Sequence, residues 1–529
     1  MKKFSAEFVG SYIQCGNPGL FLVTSEQQRV ERDFLMLLKG NPKLAKHKVF
    51  CWMMASGVVD LKDRKQVSEA ADPLEVLNSF VSSEGQPFPA KAAVLLMEDL
   101  HLHLEGGVPN AILISAIKRT LRIAKSCNKT LVITGCRFML PPELERELVM
   151  VDYSLPDAAM LGEVLDNVVK SANAALKAGG GSEIELEASV RESVVASASG
   201  MTVAEAENAF ALSLVRHKSV LPSVIADEKA VAIRKSGVLE LVNTQLSLSD
   251  VGGLETLKDW LKTRRRAMTK AAREFGLPAS RGILLLGPPG TGKSLVAKAT
   301  AVSFEVPLVK LDFGRLFGSL IGQTEQNLRN ALNMVEAISP CVLWCDEIEK
   351  GLSGTKSGGA SDGGVMDRVF GAFLTWLNEK TVDVFVVATA NKAAELPPEF
   401  LRPGRFDALF FVDLPTAVER EAIWKIQLGK YGRKLKGLDL KELSANTAGF
   451  TGAEIEATLV DGLHLAFSAE RDLRQDDLLE SRKQISPVAK IMGDSLAQLR
   501  NWAKDRTRPA GLGFTEKPVH EMGERAITV

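Results

Sequence analysis

The residues best suited to chemistry fall into three groups in the second half of the chain. Residues 283–294 read ILLLGPPGTGKS. Four apolar residues form a short buried strand, and the spacing G-x-x-x-x-G-K-S follows, with Gly287, Gly292, Lys293 and Ser294. Apolar helix-forming residues (LVAKATAV) come next. Glycines let backbone N–H groups curl around phosphate oxygens, and the helix N-terminus adds a partial positive charge. Lys293 is then placed for β- and γ-phosphates and Ser294 for Mg²⁺. The second group is CVLWCDEIEK, residues 341–350, where an apolar strand ends in Asp346 and Glu347. One acid at a strand tip can hold the water shell of Mg²⁺, and its neighbour can polarise a water for attack on a γ-phosphate. The third is VFVVATANKAAELPPEFLRPGRFD, residues 384–407. A strand ends at Asn391, and a proline-bounded turn leads to Arg402 and Arg405. Their guanidinium forks suit phosphate, and arginines so placed can act on a neighbouring subunit's nucleotide.

The chain that must position these groups has 529 residues, 46% hydrophobic and 25% charged. It can bury a large core, and disorder as a whole-chain state is excluded. With 65 basic and 65 acidic residues there is no global attraction to nucleic acid or anionic lipid. No apolar run approaches the roughly 18 residues of a membrane span. Glu7 interrupts what would be an apolar signal segment after MKK. Six cysteines in a chain this long are not a disulfide framework. Cys341 and Cys345 read as core residues, because no further Cys or His has zinc spacing. The expectation is a soluble protein of a reduced, cytoplasmic compartment. Six basic residues in 262–273 read as a solvated linker helix, and nucleic-acid binding is not expected.

A glycine-rich phosphate loop, an Asp-Glu strand, an Asn-tipped strand and RPGRFD, in this order, resemble the AAA branch of the AAA+ ATPases. LSDVGGLE (248–255) is similar to the segment that leads into that module, and GFTGAEIE (449–456) to the start of its helical lid. The similarity spans about residues 245–475. GRLFGSLIG, CVLWCDEIEKG, VFGAFLTWLNEKT and VFVVATAN also resemble the AAA-domain proteins of cyanobacteria and plastids known as hypothetical chloroplast reading frame forty-six. The resemblance implies a parallel five-stranded sheet with helices on both faces and a helical lid. It implies Mg²⁺-dependent hydrolysis of ATP, with Asp250, Val251 and Gly252 lining the adenine pocket. Pro288, Pro289, Gly290, Thr291, Gly292, Lys293 and Ser294 would wrap the phosphates, Ser294 and Asp346 would hold Mg²⁺, and Gly452 and Ala453 would stand where related branches place a sensor arginine. Glu347 would activate water, Asn391 would sense the γ-phosphate, and Arg402 and Arg405 would be fingers acting in trans. A homo-oligomeric ring, usually a hexamer, follows, because each finger needs a neighbour's site. The pore-loop triplet is Leu320, Ile321 and Gly322, where many unfoldases carry an aromatic residue. Leucine offers less contact area than an aromatic ring.

The first half reads as a degenerate copy of the second. AVLLMEDL (93–100) matches CVLWCDEI (341–348), LVITGCRFMLPPEL (131–144) matches FVVATANKAAELPPEF (385–400), and SGMTVAEAE (199–207) matches AGFTGAEIE (448–456), each at an offset of about 250 residues. Periodic alternation of strand and helix would not explain LPPE or the G-h-T-x-A-E run. The first copy lacks the chemistry. Its strand LFLV (20–23) leads into TSEQQRVE, with no glycine and no phosphate-binding lysine; counted at constant offset, Val30 falls opposite Lys293. Glu98 and Asp99 repeat the acidic pair in reversed order. His101 and His103 read as surface or capping residues. The expected organisation is a degenerate AAA-like α/β domain at 1–160, a lid-like helical segment at 161–240, the ATP-binding α/β subdomain at 241–416, its helical lid at 417–475, and a C-terminal helix and tail at 476–529. Two uses fit this layout: a ring that remodels a protein client or adaptor bound through the first half, or a nucleotide-gated scaffold with slow turnover.

Overall fold

The computed structural model describes residues 2–3, 6–82, 87–89, 91–104, 110–136, 140–178, 183–235, 237–268, 272, 274–317, 324–350, 363–402 and 404–511. The chain divides into two compact units, Met1–Lys229 and Ala230–Val529. The triplet Leu320, Ile321 and Gly322 lies outside the described residues.

Among the described residues of the first unit, eight strands make one sheet: β1 (Lys2–Lys3), β2 (Gly19–Val23), β3 (Lys48–Met53), β4 (Gly57–Asp60), β5 (Lys65–Ser68), β6 (Ala93–Glu98), β7 (Lys129–Gly135) and β8 (Val149–Asp152). Their order is β1-β8-β2-β7-β6-β3-β4-β5. In the second unit, β9 (Leu239–Val242), β10 (Gly282–Leu286), β11 (Leu308–Leu311), β12 (Cys341–Cys345), β13 (Val384–Ala390), β14 (Ala408–Phe411) and β15 (Arg508–Pro509) are ordered β15-β14-β10-β13-β12-β11-β9. The parallel cores, β8-β2-β7-β6-β3 and β14-β10-β13-β12-β11, have one topology. The repeat read from sequence is therefore a repeat of fold. The five-stranded expectation holds for the parallel core of the second unit, which is widened by antiparallel β9 and by the two-residue β15.

Both sheets are covered on two faces, so their central strands are apolar without alternation. β10 and β12 are buried at every position. One face of the second sheet packs Leu284, Leu286 and Leu343 against Val335, Phe373 and Leu377. The other packs Ile283, Leu285 and Phe385 against Val296, Ala297 and Phe304. Parallel strands need crossovers, and helices supply them on both faces.

The decisive difference between the copies lies after the first core strand. In the first unit three residues, Thr24–Glu26, join β2 to helix α1 (Gln27–Gly40). In the second, six residues join β10 to helix α4 (Lys293–Phe304). Two further helices of the first unit, α2 (Ala158–Ala178) and α3 (Val203–His217), pack in a helical cluster around Leu161, Leu165 and Phe210. Their counterparts are the lid helices α5 (Ala417–Lys430) and α6 (Gly452–Ser468), around Trp424, Phe450 and Leu459. Leu478 of the helix Gln475–Gln484 belongs to the same cluster. The shorter loop also moves the alignment. The buried stripe Val30, Glu31, Phe34 and Leu38 superposes in pattern on Val296, Ala297, Thr300 and Phe304. Gln27, not Val30, thus takes the place of Lys293.

Phe34 is fully buried between α1 and the first sheet. Phe34→Ala leaves a cavity and should cost about 3–5 kcal/mol, read as an earlier denaturant transition of the first unit with that of the second unmoved.

Candidate active site

β10 ends where its backbone can go no further as a strand. Gly290 has φ +79, and a Cβ there would meet the Thr451 hydroxyl at 2.9 Å. Only glycine adopts that turn cheaply and lets the loop approach the lid. Ala453 of α6 donates its N–H to the Gly290 carbonyl at 3.2 Å, and Thr451 and Glu454 form a capping box at the start of α6. Two helix N-termini, of α4 and α6, therefore border the loop.

Lys293 is 6% exposed. Its ammonium donates to the carbonyls of Gly287 at 2.7 Å and Pro288 at 2.6 Å. Burial lowers its pKa to about 8, against the opposing pull of Glu349, Asp346 and Glu347. Asp346 stands at the tip of β12. Its Oδ1 accepts from the hydroxyls of Ser294 at 3.1 Å and Thr389 at 2.8 Å, and its Oδ2 lies 4.0 Å from the Lys310 ammonium. Glu347 has φ +47, a conformation that aims its side chain away from the strand line. Its N–H donates to the Thr389 hydroxyl, its Oε1 accepts from Asn391 Nδ2 at 2.9 Å, and its Oε2 pairs with Lys350. Burial works against its charge, but Lys350 and Asn391 outweigh it and hold the carboxyl below its ordinary value. Glu347 is ionised at neutral pH, with both oxygens engaged.

These groups surround one cavity of about 320 Å³. It is lined by Asp250, Val251, Gly252, the loop from Pro289 to Ser294, Asp346, Glu347, Asn391, Gly452 and Ala453. All of the nucleotide-facing residues expected from sequence meet here except Pro288, which serves through its carbonyl. The Asp250 carboxylate is taken up in a capping box with Ser247. Gly252 is needed for space, since a Cβ would stand 2.5 Å from Ile423 Cγ1. Arg402 and Arg405 do not line the cavity. They sit in the turn before β14, where Arg405 donates to the Leu374 carbonyl at 3.4 Å.

Sequence reasoning missed Thr389, Ile423, Ile426, Gln427 and Glu456, which also line the cavity. Thr389 had a signal, two residues before Asn391 on the same strand face. Ile423, Ile426 and Gln427 share a face of α5, but a stripe at that spacing looks like any core-facing helix.

The ATPase family associated with various cellular activities (AAA) matches residues 283–414. The N-terminal domain of SpoVK-like AAA ATPases matches residues 5–153, and their second domain matches 159–236. The uncharacterized AAA domain-containing protein ycf46 of Trieres chinensis is 32% identical over 95% of this chain and 97% of its own length. That of Guillardia theta is 34% identical over 95% and 96%. The chain belongs to the ycf46 family of AAA domain-containing proteins. It is an AAA ATPase. The peroxisomal ATPase pex6 of Schizosaccharomyces pombe is 33% identical over 44% of this chain and 25% of its own length. Among the described residues of this ycf46-family chain, no helix is long and apolar enough to cross a membrane.

The low pKa of Lys293 gives the site a pH dependence. Nucleotide phosphates favour the charged ammonium and raise its pKa above about 8, so binding takes up a proton when the pH lies above that value. ATP affinity should be flat below pH about 8 and fall by up to about tenfold per unit above it. Titration with a fluorescent ATP analogue checks this, and Lys293→Arg, which keeps its charge, should abolish the slope.

Proposed function

We propose that the chain hydrolyses ATP with Mg²⁺ in a homo-oligomeric ring, with a hexamer as the expected size, and uses the cycle to remodel a protein client. The observation that carries this reading is the convergence of the phosphate loop, Asp346, Glu347 and Asn391 on one cavity, while Arg402 and Arg405 stand outside its lining. In this reading the loop amides and Lys293 hold the phosphates, and Ser294 and Asp346 hold Mg²⁺, which neutralises charge on the phosphates. Glu347 leaves Lys350 to orient the attacking water, and Asn391 reports the γ-phosphate to it. The two arginines serve the next subunit's nucleotide. The domain limits drawn from sequence, with a client or adaptor on the first unit and a cytoplasmic location, belong to the same proposal. A nucleotide-gated scaffold without threading is the second reading. It is favoured by Leu320 in place of an aromatic pore residue and by a first unit whose Thr24–Glu26 turn has no glycine to wrap a phosphate.

A finger stabilises charge that develops in the transition state, and supplying one accelerates well-studied GTPases by about 10³–10⁵. Arg405→Ala should keep ATP affinity and lose hydrolysis. Lys293→Ala should lose ATP binding. Mixing the two should restore activity, because an intact site on one can meet an intact finger on the other. Mixed oligomers that recover no hydrolysis would sink the trans arrangement, and full activity of Arg405→Ala as a monomer would sink the ring.

A further inference from the structure

The first unit keeps the backbone of an AAA site but fills it differently. Asp99 has φ +52, the same unusual turn as Glu347; its N–H donates to the Thr134 carbonyl, whereas in the second unit the Thr389 carbonyl accepts one residue later, from Ile348. Strand register extends the match. Cys51 pairs with Leu96, the fourth residue of β6, and Lys310 pairs with Trp344, the fourth residue of β12. Cys51 thus occupies the place of Lys310, Glu98 that of Asp346, Thr134 that of Thr389, and Glu31 that of Ala297. The second unit has an ion pair and a methyl group here. The first has a thiol and two carboxyls, whose ligand atoms all lie within 4.8 Å of one another.

We propose that Glu31, Cys51 and Glu98 form a binding site for a borderline-soft divalent cation of the zinc type. The second unit builds its cation in as Lys310; the first takes one from solution. Three elements aim the donors at one point: α1 carries Glu31, β3 carries Cys51 and the tip of β6 carries Glu98. Cys51 shares a sheet face with Val49, Leu96 and Val132 beneath α1. Glu31 is 7% exposed and Cys51 fully buried. Cys51 Sγ lies 3.5 Å from Glu98 Oε1. Zinc–sulfur and zinc–oxygen bonds of about 2.3 and 2.1 Å give a tetrahedral edge of about 3.5 Å. A thiolate beside carboxylates selects zinc over magnesium or calcium.

An independent observation points to a ligand at the same place. Thr134 is 1% exposed, and its hydroxyl has no hydrogen-bond partner among the described residues. It pairs in register with Glu98 and faces the same side of the sheet. Its counterpart Thr389 spends its hydroxyl on Asp346 and Glu347. A water in the fourth coordination position would satisfy it. Arg64 pairs with Oε2 of Glu31 at 2.7 Å, but its side chain is 62% exposed and approaches from the rim. Burial, then the two neighbouring carboxylates, pushes the Cys51 thiol up, and burial pushes Glu98 up to about 7. Arg64 sits on Glu31, and a cation bound at the cluster would replace the thiol proton of Cys51.

Cobalt(II) titration of the chelator-treated full-length protein tests the site. The expected result is one equivalent bound with a near-ultraviolet sulfur-to-cobalt charge-transfer band, displaced by zinc. Cys51→Ser should lose the band, and Cys136→Ser should keep it. Glu31→Ala installs the residue of the second unit, so it should fold, and it should weaken cobalt binding at least tenfold. Failure of the wild-type protein to take up cobalt or zinc at micromolar concentration would overturn the site. So would a band that survives Cys51→Ser, or a Glu31→Ala protein that binds as tightly as wild type.

Discussion

One carboxylate ties the nucleotide site together. Asp346 ends β12, accepts from the first turn of α4 through Ser294, accepts from β13 through Thr389, and faces Lys310 on β11. Four elements that are distant in sequence are thereby held around one cavity. Hydrogen bonds to a charged group are stronger than neutral ones, and partial burial strengthens them further. The positions of Glu347 and Asn391 follow, because Glu347 is the next residue after Asp346 and Asn391 lies two residues beyond Thr389, which Asp346 holds.

The phosphate loop, the acidic pair and Asn391 were legible in sequence because their chemistry demands residue types at fixed spacing. A loop that wraps phosphate needs glycine, and a strand tip that holds a metal needs an acid. The lid side of the cavity was not legible. Ile423 and Gln427 act by shape, and a shape contact leaves no residue-type signature. β9 and β15 were missed for a different reason. Four and two residues are too few to show a period, and β15 owes its place to pairing with β14 rather than to any apolar run. His101, read as a surface or capping residue, is buried under the end of β7, where a Cβ on Gly135 would strike its ring at 2.5 Å. The repeat itself was legible, but constant-offset alignment put Val30 opposite Lys293. Only the helix start at Gln27 shows where the three-residue deletion falls.

Comparison of the two units separates fold from function. The positive-φ residue just beyond β6 and β12, the order of the parallel core strands and the capped helices α3 and α6 persist in both. The glycine loop is gone from the first unit, where Glu26 precedes α1. The Glu26 carboxylate accepts from the Val203 N–H at the start of α3 at 2.7 Å and pairs with Arg29 at 2.7 Å. A helix N-terminus that would favour an anion has been given one of its own.

The C-terminal strand has a consequence for synthesis. β15 joins the edge of the second sheet, Ala510 accepts from the Leu257 N–H, and Arg500 grips Asp413 through two nitrogens. The module that begins near residue 240 cannot seal until residues 508–511 have left the ribosome. The first unit closes at Lys229. At about 5–20 residues per second, the interval is roughly 15–60 s. During it, β14 of the nucleotide module lacks the strand that pairs with its outer edge.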